Sequence, residues 1–332
     1  MLETKNERRL LQKKRGTIMW ENQYLPEGSL RDLFEVMEAR SSPVMLERAK
    51  EQGVIIEGVV TLCDGSLNLW VDLGCMKGVI YRDEVGYTPD GEPQKDIAII
   101  SRVGKPVAVK VMEICTNDKG EPYAILSRRE AQKEALEAYL YHLKAGDIIP
   151  AKVTHLEHFG AFVDVGCGVA SLLSIDSISV SRISHPRDRF YVGMPIKAVV
   201  KSVDRASGRI YVTHKELLGT WEENAAQFTV GQTVMGIVRS IEDYGVFIEL
   251  SPNLAGLAEY RSDIQVGDTV AVYIKNIIPE RMKIKLVIID SCKTEPPQRR
   301  IDYYIAPECC HIDLWQYSPS GTGKVIESVF SA

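Results

Sequence analysis

No CxxC pair occurs in this chain, and its seven cysteines lie scattered at Cys63, Cys75, Cys115, Cys167, Cys292, Cys309 and Cys310. An odd count without pairing spacing argues against a disulfide framework and against structural zinc, and fits a reducing, cytoplasmic setting. The one dense group, Glu308-Cys309-Cys310-His311, lacks a second ligand pair, so no metal is expected. Long apolar runs are also missing. Nothing approaches the roughly 18–20 residues a spanning helix needs, which excludes a membrane partner of that kind. The opening MLETKNERRLLQKKRG has no apolar stretch of the sort a secretory signal requires. Nor is there an excess of positive charge: 40 Lys and Arg stand against 45 Asp and Glu, a net charge of −5. Such a chain does not coat nucleic acid by bulk electrostatics, so any nucleic-acid binding must come from a local face.

Catalytic patterns are equally scarce. The stretch SPSGTGKV invites a phosphate-loop reading, but Ser318 stands where the first glycine belongs and Val325 follows Lys324. The motif needs glycine and Ser or Thr there, and the reading is rejected. No paired carboxylates, Ser/His/Asp set or Cys/His set stands out. A non-enzymatic protein with no catalytic residues and no cofactor is expected.

What is present is repetition. GDIIPAKVTHL begins at residue 146 and reappears as GQTVMGIVRSI at 231, 85 residues later; HFGAFVDVG at 158 reappears as DYGVFIELS at 243, the same offset. A more diverged copy reads GVIIEGVVTL (53–62) and LNLWVDLG (67–74). A second block follows each: VGKPVAVKVMEI (103–114), VGMPIKAVVKSV (192–203) and VGDTVAVYIKNI (266–277). Alternating apolar positions read as half-buried strands, and clusters such as Asp118-Lys119-Gly120 and Ser207-Gly208 read as turns. About five short strands per copy suit a small closed barrel, which leaves no sheet edge exposed.

The connectors have helical character. SRREAQKEALEAYLYHLKAG (127–146) has Ser127 as N-cap and Gly146 past its end; KELLGTWEENAAQFTVG (215–231) is similar, with Trp221 expected to wedge against a barrel. Upstream, Ser29 and Asp32 open SLRDLFEVMEA, and Pro43 follows a serine pair before VMLERAKEQ, which predicts two short helices. The fold class is therefore mainly β, with a helical N-terminal extension (1–52), barrel units at 53–130, 146–218 and 231–290, and a tail (291–332). The tail either packs back as an annex or is partly disordered.

The second copy, with FGAFVDVG, SLLSIDSIS, VGMPI, VVKSVD and GRIYVT in order, resembles the S1 domain, the RNA-binding repeat of bacterial ribosomal protein S1. The third copy resembles it well and the first more weakly, together over about 53–290. The resemblance implies five-stranded OB-type barrels that bind single-stranded RNA. It places Phe159 and Phe162 as stacking rings and Asp204 and Arg209 as polar flanks. Lys152, Lys197 and Lys201 lie on strands around them, and His155, His158, His185 and His214 fall in the same copy. Residues 146–218 hold nine Lys and Arg against seven Asp and Glu, a local excess inside an acidic chain. The alternative for Phe159 and Phe162 is barrel core; for Asp204 it is a turn cap into Arg205-Ala206-Ser207-Gly208; for Arg209 and Lys201, a solvated strand.

Departures grade the copies. The family usually has a histidine where this chain has Ser174 and, in the third copy, Glu259; that carboxylate repels phosphate and should weaken the third site. The third copy nevertheless keeps Tyr244, Phe247 and Lys283 at the positions of Phe159, Phe162 and Arg209. The first copy has Leu67, Trp70 and Tyr123 there, with eleven acidic against eight basic residues in 53–128. In multi-repeat relatives such copies tend to dock on the ribosome, so residues 1–130 are a candidate contact with the small ribosomal subunit. The expected function is mRNA binding in translation, two modest barrels gaining avidity across a short linker. A non-ribosomal RNA-stability or regulatory protein and a protein–protein adaptor are the alternatives.

Overall fold

The computed structural model describes residues 24–89, 91–292 and 301–330. Residues 24–33 run as turns and lead into α1 (Phe34–Ala39) and α2 (Pro43–Glu51). Helix α2 starts where capping chemistry requires: the Ser42 hydroxyl accepts the Met45 N–H at 3.3 Å, and Pro43 sits where no helical N–H is needed. Helix α1 begins later than Ser29 and Asp32 predict, at Phe34, and Leu33 at its N-cap provides no side-chain cap. The rest of the expected helical extension lies outside the described residues.

Three barrels follow. The first is β1 (Ile56–Cys63), β2 (Leu69–Asp72), β3 (Lys77–Ile80), β4 (Pro106–Thr116) and β5 (Pro122–Ser127), with the short α3 (Asp96–Ile100) before β4. After α4 (Arg128–Ala138) come β6 (Ile148–Glu157), β7 (Gly160–Asp164), β8 (Ala170–Ser174), β9 (Pro195–Asp204) and β10 (Arg209–Thr213). Helix α5 (Trp221–Ala225) precedes β11 (Thr233–Glu242), β12 (Gly245–Ser251), β13 (Leu254–Ala258), β14 (Thr269–Ile278) and β15 (Lys283–Cys292). Each set closes in the same strand order, with a single parallel contact between its third and fifth strands. This is the OB-type wiring, and closure removes the unpaired edges. Alternation sends Ala161, Val163, Leu173, Ile210 and Val212 inward in the second barrel, as the period-2 pattern requires.

The connectors are shorter than their sequences suggest. Ser127 caps α4 as expected, its hydroxyl accepting the Glu130 N–H at 2.9 Å, but the helix stops at Ala138. Tyr139 leaves helical geometry and stacks on Tyr24 at 5.8 Å, and a 3-10 turn, Leu140–His142, finishes the segment. Between the second and third barrels a 3-10 turn at Lys215–Leu218 breaks at Gly219, and α5 starts with a Thr220/Glu223 capping box. Trp221 is buried in the third barrel's core, as its apolar bulk predicts.

The barrels are stitched together rather than strung on loose linkers. At the first seam, Glu27 is buried and receives Arg128 at 2.6 and 3.1 Å, Arg102 at 3.2 Å and the Ala108 N–H at 3.1 Å. Its own N–H donates to Asp164 of the second barrel at 2.7 Å, and Arg128 also reaches the Gly168 carbonyl at 3.2 Å. Burial alone would raise the Glu27 carboxyl, but the Arg128 and Arg102 guanidiniums outweigh it and hold it low; burial and the neighbouring Glu27 push Asp164 up to about 7. At the second seam, Arg189 and Arg239 each donate to Glu249 at 2.6 Å, and the Asn253 amide binds the Lys215 and Gly219 carbonyls at 2.9 Å.

The tail packs back as an annex over residues 301–330. It ends in a hairpin of β16 (Leu314–Gln316) and β17 (Glu327–Val329). Trp315 and Tyr317 join the third barrel's core, the Ile148 N–H donates to the tail's Cys310 carbonyl and the tail's Ile312 N–H to the Gly146 carbonyl, and Ser328 donates to Glu216 at 2.7 Å.

His214 lies under this annex, fully buried. Its Nδ1 faces the Ile178 carbonyl at 3.0 Å, and Tyr303 and Phe190 close on the ring edge-on at 5.7 and 5.2 Å. Burial, with Arg189 adding repulsion, lowers its pKa to about 4. The neutral ring is favoured in the fold, so its stability contribution is full above the unfolded value and declines as pH falls from 6.5 towards 4. By linkage this amounts to about 3 kcal/mol at most. Thermal unfolding followed from pH 7.5 to 4.5 should show a decline that is shallower in His214→Gln; identical slopes would contradict the assignment.

Candidate nucleic-acid interface

Two turns carry the most exposed rings of the second and third barrels. Phe159, between β6 and β7, is 55% exposed, and Tyr244, between β11 and β12, is 70% exposed. Each meets the half-buried ring three residues on, edge to face: Phe159 with Phe162 at 6.0 Å and 90°, Tyr244 with Phe247 at 6.0 Å and 88°. Edge-to-face pairing is a favoured aromatic geometry, so both rings are held in place with a π-face open to solvent. A core location for the Phe159 ring is thus excluded. The intervening glycine sets the approach: a Cβ on Gly160 would lie 2.4 Å from the Leu173 carbonyl, and one on Gly245 2.4 Å from that of Ala258.

Strand pairing extends the surface from these rings. Phe162 registers with His155 on one side and Leu172 on the other, Leu172 with Tyr211, and Tyr211 with Ser202. Arg209 stands two residues before Tyr211 on β10, on the same outward side, and is exposed. Lys201 occupies the bulge in β9 beside Ser202 and is exposed too. In the third barrel the row is Ser240, Phe247, Leu257, Lys285 and Asn276, with Lys283 two residues before Lys285 and Lys275 in the matching bulge. Lys275, Lys283 and Lys285 are all exposed. Rings over a strand floor, rimmed by cations, are the kind of surface on which bases can stack and phosphates can be reached.

Other expected residues are placed elsewhere or otherwise engaged. Asp204 registers with Arg209, but its carboxylate accepts the Ala206 and Ser207 N–H groups at 3.0 and 3.3 Å and the Ser207 hydroxyl at 2.5 Å. These bonds, the Ser207 hydroxyl first, hold its pKa below the usual range; it caps the turn that presents Arg209. Lys152 donates to the Glu27 carbonyl at 2.9 Å and belongs to the first seam. Lys197 pairs with Pro150 and gives its backbone N–H to the Tyr303 hydroxyl at 2.9 Å. It lies five residues along β9 from Ser202, about 16 Å at strand rise, far from the rings. His158 is exposed beside Phe159 and meets His185 edge-on at 4.8 Å, while His155 approaches Phe162 at 6.5 Å and Glu157 at 2.7 Å.

The corresponding row of the first barrel reads Leu62, Trp70, Val79, Ile125 and Glu113. Tyr123 takes the place of Arg209 and Met112 that of Lys201, so those two cations are replaced, while Lys77 remains on the same face. Trp70 is tied to Asp64 at 3.3 Å, and a surface groove lies between it and Tyr81, Tyr123, Asp118 and Glu121.

Tyr211, Lys275 and Lys285 were not singled out by sequence reasoning. Lys275 matches Lys201 when VYIKNI is set against AVVKSV, so the repeat itself carried the signal. Tyr211 and Lys285 needed only the period-2 step from Arg209 and Lys283. Among the described residues no group of His, Cys, Asp and Glu is arranged to hold a metal, and no helix is long and apolar enough to cross a membrane.

The fold defines a tandem OB-barrel protein, with an exposed aromatic pair on the second and third barrels. Residues 142–215 match the family model described as the S1 RNA binding domain. The chain is 33% identical over 233 residues to small ribosomal subunit protein bS1 of Staphylococcus aureus (strain MRSA252), covering 68% of this chain and 56% of that protein. It is 31% identical over 211 residues to bS1 of Leuconostoc lactis, covering 59% and 48%. The solution structure of GSP13 from Bacillus subtilis aligns with 21% of this chain and 55% of its own, at 25% identity and a TM-score of 0.21. Residues 142–215 thus match an S1 RNA binding domain, the chain is similar to bS1 proteins beyond it, and it spans about half the length of the curated relatives it matches.

Proposed function

We propose that this chain binds single-stranded RNA, in particular mRNA during translation, as a non-catalytic cytoplasmic protein. The observation that carries this reading is the repeated pair of an exposed and a half-buried ring, Phe159–Phe162 and Tyr244–Phe247, each flanked by exposed cations on the adjoining strands. Bases of any identity stack on such rings, so binding should show low sequence specificity, with some leaning towards unstructured pyrimidine- or A/U-rich RNA. The matched family and the bS1 relatives support the same reading. The stitched seams add to it: two sites held in fixed relation lose less entropy on engaging one strand than two freely jointed ones.

The small ribosomal subunit is the proposed partner of residues 1–130. The first barrel's face, with Met112 and Tyr123 in place of cations and Asp118 and Glu121 at its rim, suits protein contact better than phosphate. Two measurements test the proposal. Anisotropy titration of a short unstructured RNA should give binding that weakens steeply as potassium chloride is raised, since each neutralised phosphate contributes about −0.7 to the log–log slope. In a lysate, the chain should sediment with small ribosomal subunits. Salt-independent binding would contradict stacking aided by phosphate contacts; RNA binding without co-sedimentation would favour a regulatory or RNA-stability role.

A further inference from the structure

We infer that the two RNA-facing barrels divide their work by degree: the second leans further towards base stacking and the third further towards phosphate contact, with the difference set by Tyr211 and Lys285. The inference rests on the RNA-binding reading above. The two residues occupy one structural position, each registered with the leucine (Leu172 or Leu257) that separates it from the inner ring of its barrel. Two strand spacings separate that ring from Tyr211 or Lys285, about 10 Å, within reach of one RNA strand.

In the second barrel the position carries a third ring. Phe162 and Tyr211 then flank the half-buried Leu172 on the β7–β8–β10 surface, with Phe159 in the adjoining turn against Phe162. The cations there are Arg209 and Lys201, and Arg209 faces the Asp204 carboxylate across the strand pair. In the third barrel the same position carries a charge. Lys275, Lys283 and Lys285 line the β14–β15 surface, and Lys283 faces the apolar Ile278 rather than a carboxylate. None of the three has an ion-pair partner among the described residues. Glu259, one residue beyond the paired Ala258, offsets part of that charge but not the excess of lysines. Rings contribute contacts that salt does not screen, whereas each phosphate contact releases counterions and so depends on salt.

The full chain is titrated with a fluorescein-labelled 12-nucleotide oligouridylate from 50 to 400 mM potassium chloride, with far-UV circular dichroism confirming each variant's fold. Lys285→Ala should make the slope of log K against log salt shallower by about 0.7, one phosphate contact. Tyr211→Ala should lower affinity about fivefold or more at every salt concentration and leave the slope unchanged. Tyr211→Lys should steepen the slope. Equal slopes in Lys285→Ala and the wild type, or wild-type affinity in Tyr211→Ala, would overturn the division of labour while binding by the wild type leaves the RNA reading intact. Absence of wild-type binding would overturn both.

Discussion

Replacing Phe159 and Arg209 together by alanine should weaken binding of a short unstructured RNA by roughly tenfold to hundredfold while leaving the protein folded. A base stacked on an aromatic side chain contributes about 1–3 kcal/mol by alanine substitution, and the lost cation removes a phosphate contact in addition. The fold should tolerate the change. Phe159 lies in a turn with over half its surface in water, and what anchors that turn is its backbone carbonyl, which accepts the Ile175 N–H at 2.9 Å. Arg209 is exposed at the start of β10 and takes part in the barrel through its main chain. Substitutions of this kind usually move stability by about half a kcal/mol or less. Unchanged affinity in a folded double variant would remove the second barrel from the account.

Arg128→Ala should have the largest effect on stability. The side chain is buried, and it holds the Glu27 carboxylate, the Val85 carbonyl and the Gly168 carbonyl at once. Removing one member of a buried ion pair costs up to about 3–5 kcal/mol, and here the buried Glu27 carboxylate would be left with Arg102 as its remaining guanidinium. The loss should fall on the seam between the N-terminal segment, the first barrel and the second. Glu27→Gln added to Arg128→Ala removes the under-compensated carboxylate and should recover part of the loss, less what Arg102 loses with its own partner. Urea unfolding followed by circular dichroism checks both statements. An Arg128→Ala midpoint within error of the wild type would show that the seam does not join the barrels.

The barrels were legible because closed small sheets write themselves into sequence twice over, as period-2 alternation and as a repeat. The same offset that aligned GAFVDVG with GVFIELS placed Phe162 with Phe247 and Gly160 with Gly245, and both pairs are equivalent in the fold. What the sequence concealed depends on contacts between distant segments. Lys152 looks like any other strand cation, yet it is drawn to the Glu27 carbonyl, 125 positions away, a bond no local pattern announces. Asp204 had two readings in the sequence, and the three bonds to its own turn account for it without RNA. The tail lacks periodicity because it builds no sheet of its own beyond one hairpin; its order comes from Trp315, Tyr317 and Tyr303 settling on barrels already formed. Helix α4 stops early for a similar reason, since Tyr139 packs on Tyr24 from outside the helical register. Tyr211 and Lys285 were missed although strand alternation placed them, because the family pattern drew notice to the charged residues two positions earlier.

Photocrosslinking of an unstructured oligouridylate to the intact chain, with the attachment sites mapped by mass spectrometry, tests the central claim most directly. Adducts should fall on Phe159, Phe162, Tyr211, Tyr244 and Phe247. Adducts confined to Trp70, Tyr81 and Tyr123 of the first barrel, with none on those five rings, would contradict it.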